Sequence, residues 1–314
     1  MGFSEYAILS SVKRKKSFKE KPAKKENSVE MSKIIAIIHG RMSSSRLPGK
    51  VLMPLSGETV FFHHVERLKQ CPKVKAIFLG TSKNPNNQPL IAEANRINIP
   101  TYAGAEEDVL ERYITIAERE RADFIVRCGC DKPLFSYEIV NTLLDNHRKE
   151  DLLYCATQLG KGIGSEIISL SSLKKIHEYY RGPAISKYMY EYPHLFKMRG
   201  FEVDDEFSRP DFRLTLDTPE DYKLFNILYD EFYTSGHPVD LREVFRYLDD
   251  NPDLANINRF SVEKQVNTYV KDLEMKPLMS IYRKKDGKIF VQNRLGQNIS
   301  KQEFLLSLDN FEWE

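Results

Sequence analysis

The chain has little that would tie it to a membrane, a disulfide scaffold or a nucleic acid. No window approaches the roughly 20 continuous apolar residues that a membrane-spanning helix needs. The start Met1-Gly2-Phe3-Ser4-Glu5 breaks any apolar region with polar and charged groups, unlike a secretory signal. Gly2 followed by Tyr6 lacks the Ser or Thr of a myristoylation site. These absences point to a cytoplasmic protein. Four cysteines in 314 residues do not make a disulfide framework. Cys128-Gly129-Cys130 suggests half a zinc site, but no second Cys/His pair at ligand spacing accompanies it. Its place in an apolar run favours buried, reduced strand cysteines. A net charge of +2 is not built to hold a polyanion, and the aromatics do not interleave with basic residues as nucleic-acid surfaces do. A nucleophile elbow, an HExxH pair, a dinucleotide fingerprint and an internal repeat are also missing.

What is present is ordinary in bulk and uneven in detail. An apolar fraction of 41% and a charged fraction of 29% suit a globular protein whose length allows one large domain or two modest ones. Basicity is local: Lys13, Arg14, Lys15, Lys16, Lys19, Lys21, Lys24 and Lys25 crowd the first segment. Residues 1–31 therefore read as a disordered basic arm, either a solvated tail or a contact for an anionic partner. Met31 is a candidate alternative start.

Order is expected to begin at Ile34-Ile35-Ala36-Ile37-Ile38, a strand buried on both faces. Further strands are predicted at Ala76–Gly80, Thr101–Ala103 and Asp123–Cys128, alternating with helices over Thr59–Lys69, Leu90–Ile97, Asp108–Arg119 and Tyr137–His147. Strand and helix in alternation argue for a mostly parallel α/β sheet with helices on both faces. Ligands in such sheets sit beyond the carboxyl ends of the strands. The loop after Ile38, Thr81-Ser82 after Leu79, and Asp131 after Cys128 all fall there. Later, Ser169–Tyr180 reads as a helix and Ile185–Tyr192 as an apolar, aromatic stretch. Phe212–Leu216 reads as a strand ending at Asp217, with Thr218 and Pro219 opening a helix. Residues 32–259 are taken as the main domain and 260–314 as a small extension, with a hairpin between Leu278–Tyr282 and Lys288–Val291.

The loop His39-Gly40-Arg41-Met42-Ser43-Ser44-Ser45-Arg46-Leu47-Pro48-Gly49-Lys50 places three cations within ten residues. Guanidinium forks match phosphate oxygens, Lys50 adds a mobile point charge, and small residues let backbone N–H groups form an anion nest. The Walker spacing G-x-x-x-x-G-K-[ST] is absent. The loop is thus a candidate triphosphate grip or a basic surface turn. Asp131 and Asp217 end strands and are candidate Mg²⁺ ligands, since Mg²⁺ takes one or two carboxylates and fills its octahedron with water and phosphate oxygens. Either aspartate also has the position of a helix cap, Asp217 especially. Glu106 and Glu107 read as charges favoured at a helix start. Arg112 and Tyr113 are candidates for shaping the site. His63 and His64 lie on a predicted helix where one ring packs inward.

Here the residues resemble a known family. R-M-S-S-S-R-L-P-G-K over Arg41–Lys50 resembles the signature of the cytidylyltransferases that activate acidic sugars, such as the CMP-KDO and CMP-sialic acid synthetases. The spore coat polysaccharide biosynthesis protein F branch matches more closely, through Gly104–Tyr113, Arg127–Leu134, Gly162–Glu166, Arg181–Tyr188 and Arg213–Asp221. The resemblance runs from about Ile34 to Leu228 and leaves both ends uncovered. It implies a Rossmann-like nucleotidyltransferase fold of the GT-A type and a homodimer. It implies attack by a sugar hydroxyl on the α-phosphate of CTP, giving a nucleotide-sugar and pyrophosphate for surface polysaccharide or glycoconjugate synthesis. Carried over, Arg41, Arg46 and Lys50 hold the triphosphate, and the backbone of Met42, Ser43, Ser44 and Ser45 lies against nucleotide. Thr81 and Ser82 lie near base or ribose, and Arg127 joins the nucleotide set. Asp131 and Asp217 bind Mg²⁺, while Glu166, Arg181 and Tyr188 face the acceptor sugar.

Four positions depart from the pattern. His39-Gly40 replaces Pro-Ala or Gln-Ala, Cys130 a residue that is usually glycine, Gly164 a frequent acidic residue, and Pro183 a frequent histidine. The last two put the sugar in doubt rather than the nucleotide. A glycosyltransferase using a nucleotide-sugar would want a D-x-D motif, whereas Asp204-Asp205 is adjacent. A non-catalytic nucleotide-binding protein is the other alternative.

Overall fold

The first strand, β1 (Ile34–His39), is apolar at every position but its last. Ile34, Ala36 and Ile38 enter one hydrophobic cluster, and Ile35 and Ile37 enter a second. A strand of period two buries both sets only when both faces of its sheet are covered. That is the arrangement in the computed structural model, which describes residues 32–156, 159–180 and 185–259 with three short strands beyond them. The basic arm through residue 31 and most of the segment after residue 259 lie outside the described residues.

After β1 come a small hairpin, β2 (Pro54–Leu55) and β3 (Glu58–Thr59), and α1 (Val60–Leu68). Next are β4 (Ile77–Ser82), α2 (Gln88–Arg96), β5 (Thr101–Gly104), α3 (Val109–Glu120) and β6 (Phe124–Gly129). Then follow α4 (Tyr137–Asn146), β7 (Leu152–Cys155), β8 (Glu166–Ser169), α5 (Leu170–His177) and α6 (Ile185–Glu191). The main body closes with β9 (Met198–Phe201), α7 (Pro219–Phe232), α8 (Leu241–Asp250) and the single turn α9 (Pro252–Ala255). Side chains of Thr59, Asp108, Ser136, Ser169, Thr218 and Asp240 each accept a backbone N–H in the first turn of the helix that follows.

Seven strands form one sheet in the order β5-β4-β1-β6-β8-β7-β9. The first four are mutually parallel, β8 runs antiparallel to β6 and β7, and β9 is parallel to β7. Helices α1, α2, α4, α7 and α8 contribute to the cluster on one face, and α3, α5 and α6 to that on the other. This is the mostly parallel, doubly covered α/β sheet expected from the alternating pattern. From β1 the chain steps outward to β4 and β5, then returns to β6 on the opposite side of β1. Such a reversal opens a crevice at the carboxyl ends of the two flanking strands. At the carboxyl end, β10 (Met279–Arg283), β11 (Ile289–Asn293) and β12 (Asn298–Ile299) form an antiparallel sheet, with the expected hairpin between the first two.

Two local expectations need correction. Phe212–Leu216 is not a strand of the sheet: among the described residues it makes one isolated bridge, Lys161 to Arg213. Its bonds go to loops instead, with Leu214 N–H donating to the Lys161 carbonyl (2.7 Å) and Leu216 N–H to that of Asp131 (2.8 Å). Helix α1 buries both of its histidines rather than one. The His63 Nε2 lies 2.8 Å from the Leu55 carbonyl, and the His64 ring packs 4.6 Å from that of Phe135. Burial lowers His63 to a pKa of about 4 and His64 to about 3, so both are neutral at pH 7.

Candidate active site

The crevice between β1 and β6 is a cavity of about 300 Å³. Its wall includes His39 from the end of β1, Cys130 and Asp131 from just beyond β6, and most of the basic loop. That loop is tied to itself: Ser44 N–H and Gly49 N–H both donate to the Met42 carbonyl, at 3.0 and 2.9 Å. Gly49 adopts φ +72, a left-handed conformation that glycine enters without a Cβ penalty, and it launches a 3₁₀ turn over Lys50–Leu52. Leu47 and Val51 are buried and anchor the turn to the core.

The turn delivers Lys50 to two carboxylates. Its ammonium donates to Asp217 Oδ1 at 2.8 Å and to the Leu216 carbonyl at 2.7 Å, and it lies 3.7 Å from Asp131 Oδ2. Arg46 meets the same Asp217 Oδ1 at 3.1 Å. Desolvation pushes the Asp131 carboxyl up, but Lys50, Lys132 and His39 outweigh it and leave the group below its ordinary value. From its position in the sequence Asp217 is a candidate cap for the next helix. The cap is Thr218, which forms a reciprocal capping box with Asp221, so the Asp217 side chain is left to the cleft.

Asp221 is a hub that sequence reading overlooked. Fully buried, it accepts from Asp217 N–H (2.8 Å), Thr218 N–H (2.9 Å), Asn258 Nδ2 (2.8 Å) and the Arg213 guanidinium (2.8 and 3.0 Å). Arg213 then reaches Asp217 Oδ2 at 3.4 Å. Asp217 Oδ2 thus faces Arg213 while Oδ1 faces Lys50 and Arg46.

Two carboxylates converging on one ammonium mark a position suited to a compact cation. Among the described residues no group of three or more His, Cys, Asp or Glu could hold a metal. Asp131 and Asp217 supply two carboxylates, the number Mg²⁺ uses where water and phosphate oxygens complete its octahedron.

On the β4–β5 side the wall is different. Asn87, 1% exposed, accepts from Met42 N–H at 2.8 Å and donates to the Ser82 hydroxyl at 2.7 Å. Ser82 in turn donates to Glu106, whose other oxygen lies 3.4 Å from Arg41. One buried amide therefore links the loop backbone to Glu106. Arg112 donates to the carbonyls of Ala105 and Glu106. A Cβ on Gly104 would sit 2.8 Å from the Arg112 Cγ and 2.3 Å from Glu111, so only glycine lets these side chains lie across the strand end. Beneath, His39 Nδ1 and the Tyr113 hydroxyl are 2.7 Å apart. Burial, reinforced by Arg127, takes His39 down to a pKa of about 3, making it a neutral floor.

One unusual loop residue, Gly40, has a steric account. A Cβ added to Gly40 would lie 3.2 Å from Cys130 Cβ. The smaller residue at 40 accommodates the larger one at 130, so these two departures form one compensated pair. Cys128 and Cys130 are buried and free, and burial pushes the Cys128 thiol up to about 12.

A second hollow of about 220 Å³ adjoins the antiparallel strand β8, lined by Arg127, Lys132, Tyr154, Gly164, Glu166 and Tyr190 among others. Arg127 and Glu166 are register partners on β6 and β8, with Nη1 3.4 Å from Oε2. Arg127 thus lines the second hollow. Ser43, Ser44 and Ser45 line the first cavity, while Met42 takes part through its backbone. Thr81 is buried within β4 and lines neither hollow; Ser82 acts through Glu106. Tyr188 is 5% exposed, packed among Tyr180, Tyr192 and Phe196. Two positions on, Tyr190 is 46% exposed and faces the hollow, its hydroxyl 3.5 Å from Glu166 Oε1. Arg181 and Pro183 lie outside the described residues.

Comparison with known proteins gives consistent results. A family model described as Cytidylyltransferase matches residues 35–275. An uncharacterized protein of Methanocaldococcus jannaschii is 32% identical over 231 residues, 72% of this chain and 94% of its own. The spore coat polysaccharide biosynthesis protein SpsF of Bacillus subtilis is 28% identical over 239 residues, 72% of this chain and 98% of its own. Among solved structures, a cytidylyltransferase from Leptospira borgpetersenii superposes with a TM-score of 0.65 at 26% identity, covering 74% of this chain and 99% of that one.

Proposed function

The chain belongs to the cytidylyltransferase family, and from that premise we propose that it couples CTP to a sugar hydroxyl, releasing pyrophosphate, in polysaccharide or glycoconjugate synthesis. The observation that carries this reading is the convergence of Arg46, Lys50, Asp131 and Asp217 at the carboxyl ends of β1 and β6. The name of the Bacillus subtilis relative supports the polysaccharide setting.

In this reading the acceptor oxygen bonds to the α-phosphorus, the bridge to the β-phosphate breaks, and pyrophosphate leaves with the bonding electrons. The hydroxyl proton passes to solvent. The chemistry needs no protein nucleophile; alignment and charge supply most of the barrier lowering. Arg46 and Lys50 donate to phosphate oxygens, and the rigid loop backbone fixes their position. Asp131 and Asp217 would hold Mg²⁺, which when bound screens the triphosphate and the charge developing at phosphorus. The second hollow, with Arg127, Lys132, Glu166 and Tyr190, takes the acceptor, and the working form is a homodimer.

The test is pyrophosphate release by the full chain with Mg²⁺, each nucleoside triphosphate being paired with a panel of sugar acids and sugar phosphates. Release with CTP and at least one sugar is expected. No release with any pair, from folded protein, would overturn the reading.

A further inference from the structure

Charged side chains gather at two places on the cavity wall. Lys50, Arg46, Asp131 and Asp217 gather on the β6 side, whereas Glu106 and Arg112 lie on the β4–β5 side. β4 and β6 flank β1, so the carboxyl ends of those two strands lie about 10 Å apart across the sheet. Glu106 presents a carboxylate to the cavity, and a triphosphate laid against it would be repelled. An uncharged ring would not be.

Arg112 adds a second, independent sign. It is only 5% exposed, it lines the cavity, and its Nε has no hydrogen-bond partner among the described residues. A buried guanidinium donor without a partner is costly unless a ligand supplies an acceptor. Its position is fixed by the carbonyls of Ala105 and Glu106 and by the close approach to Gly104. Glu106 is fixed too, through Asn87 and Ser82 on one oxygen and Arg41 on the other. A carboxylate has about four lone-pair sites, so Glu106 keeps acceptor capacity for a ligand. Val109 supplies apolar wall beside them.

We propose that Glu106 and Arg112 read the nucleobase and select cytosine over uracil. The assignment rests on the nucleotidyl-transfer reading above. The pairing edge of cytosine carries one donor, the N4 amino group, and two acceptors, N3 and O2. Glu106 accepts from N4, and Arg112 donates to the acceptor side. Uracil places O4 against the carboxylate and turns N3 into a donor facing a guanidinium, so both contacts become repulsive. A site built around a specific hydrogen-bond pattern rejects the analogue because its buried groups are left unpaired.

The experiment needs no acceptor sugar. Dissociation constants of CTP and UTP are measured by calorimetry with the full chain and Mg²⁺, for the wild type, Glu106→Gln and Arg112→Lys. The wild type should prefer CTP by about tenfold or more. Glu106→Gln, whose amide donates to O4 as readily as it accepts from N4, should bring the ratio to within about threefold of unity. Arg112→Lys, which keeps the charge but loses the fork, should narrow the ratio as well. Glu106→Gln is isosteric and carries the test even if Arg112→Lys fails to fold. A Glu106→Gln protein that binds both nucleotides at the wild-type ratio overturns the assignment and leaves the nucleotidyl-transfer reading intact. A wild type that binds neither nucleotide overturns both.

Discussion

The two sides of the cleft are built on opposite principles. On the β6 side charge is met by charge: Asp217 faces Lys50, Arg46 and Arg213, each at 3.4 Å or less. That side can exchange partners, because an ammonium held by two carboxylates can turn to phosphate when a cation takes its place. On the β4–β5 side each charged group is held mainly by uncharged partners, Glu106 through Asn87 and Ser82 and Arg112 through carbonyls, with one exposed contact from Arg41 at 3.4 Å. That side is preorganised and discriminates by pattern. In the proposed reading, binding strength comes from the first arrangement and selectivity from the second.

The largest expected effect breaks the charged side. Asp217→Asn leaves Lys50, Arg46 and Arg213 facing a neutral amide and should lower pyrophosphate release about 10³-fold, since a charge at the reaction centre contributes several kcal/mol. Asp221 holds the local backbone through its bonds to Asp217 N–H and Thr218 N–H, so the melting temperature should stay within a few degrees. Near wild-type turnover would sink the role given to Asp217.

Next comes Lys50→Ala. Loss of a charge-assisted phosphate contact is worth about 1.5–3 kcal/mol, or roughly 10- to 150-fold in affinity. The loss should be equal for CTP and UTP, because Lys50 does not meet the base. Calorimetry with both nucleotides checks this, and a loss confined to CTP would show that the two sides are not separate.

Below the cleft, the neutral histidines predict an acid limb. His39 and His64 titrate near 3 and His63 near 4 in the folded chain, against 6.5 for an exposed ring. Between those values the unfolded chain binds more protons, so stability falls as pH drops from about 6.5 towards 4, by about 1.4 kcal/mol per pH unit for each such ring. Replacing His64, whose ring nitrogens have no partner among the described residues, should flatten the slope by one ring's share. An unchanged slope in denaturant titrations from pH 6.5 to 4.5 would contradict its buried, neutral state.

The smallest effect concerns the floor between the two sides. Gly40→Ala presses a methyl group 3.2 Å from Cys130 Cβ and should cost about 1 kcal/mol. Adding Cys130→Gly should recover most of that cost, a coupling that a double-mutant cycle reads directly. Additive losses would mean the two departures are unrelated.

Much of the charged side could be read in the sequence, because its signal is local. Three cations in ten residues and a Thr-Pro helix start after Asp217 announce themselves without tertiary context. The sheet was equally legible, since strands buried on both faces are continuously apolar. The other side was not. Glu106 stands two residues before a helix cap and reads as a charge that favours the helix dipole; only the fold brings Ser82 and Arg41 to it. Asn87 sits in a turn where asparagine is commonplace, and its role depends on a contact with Met42, 45 residues away. Tyr188 and Tyr190 differ by two positions, about 200° around a helix, so a motif match could not tell which ring faces the hollow. Phe212–Leu216 alternates like a strand, yet its bonds go to the Lys161 and Asp131 loops, which no periodicity encodes.

The most direct test of this division is the structure of the chain with CTP and Mg²⁺ bound. Phosphates are expected against Arg46 and Lys50, the cation between Asp131 and Asp217, and the cytosine edge on Glu106 and Arg112. A base lying over the aspartates, or a triphosphate outside the β1–β6 crevice, would contradict it.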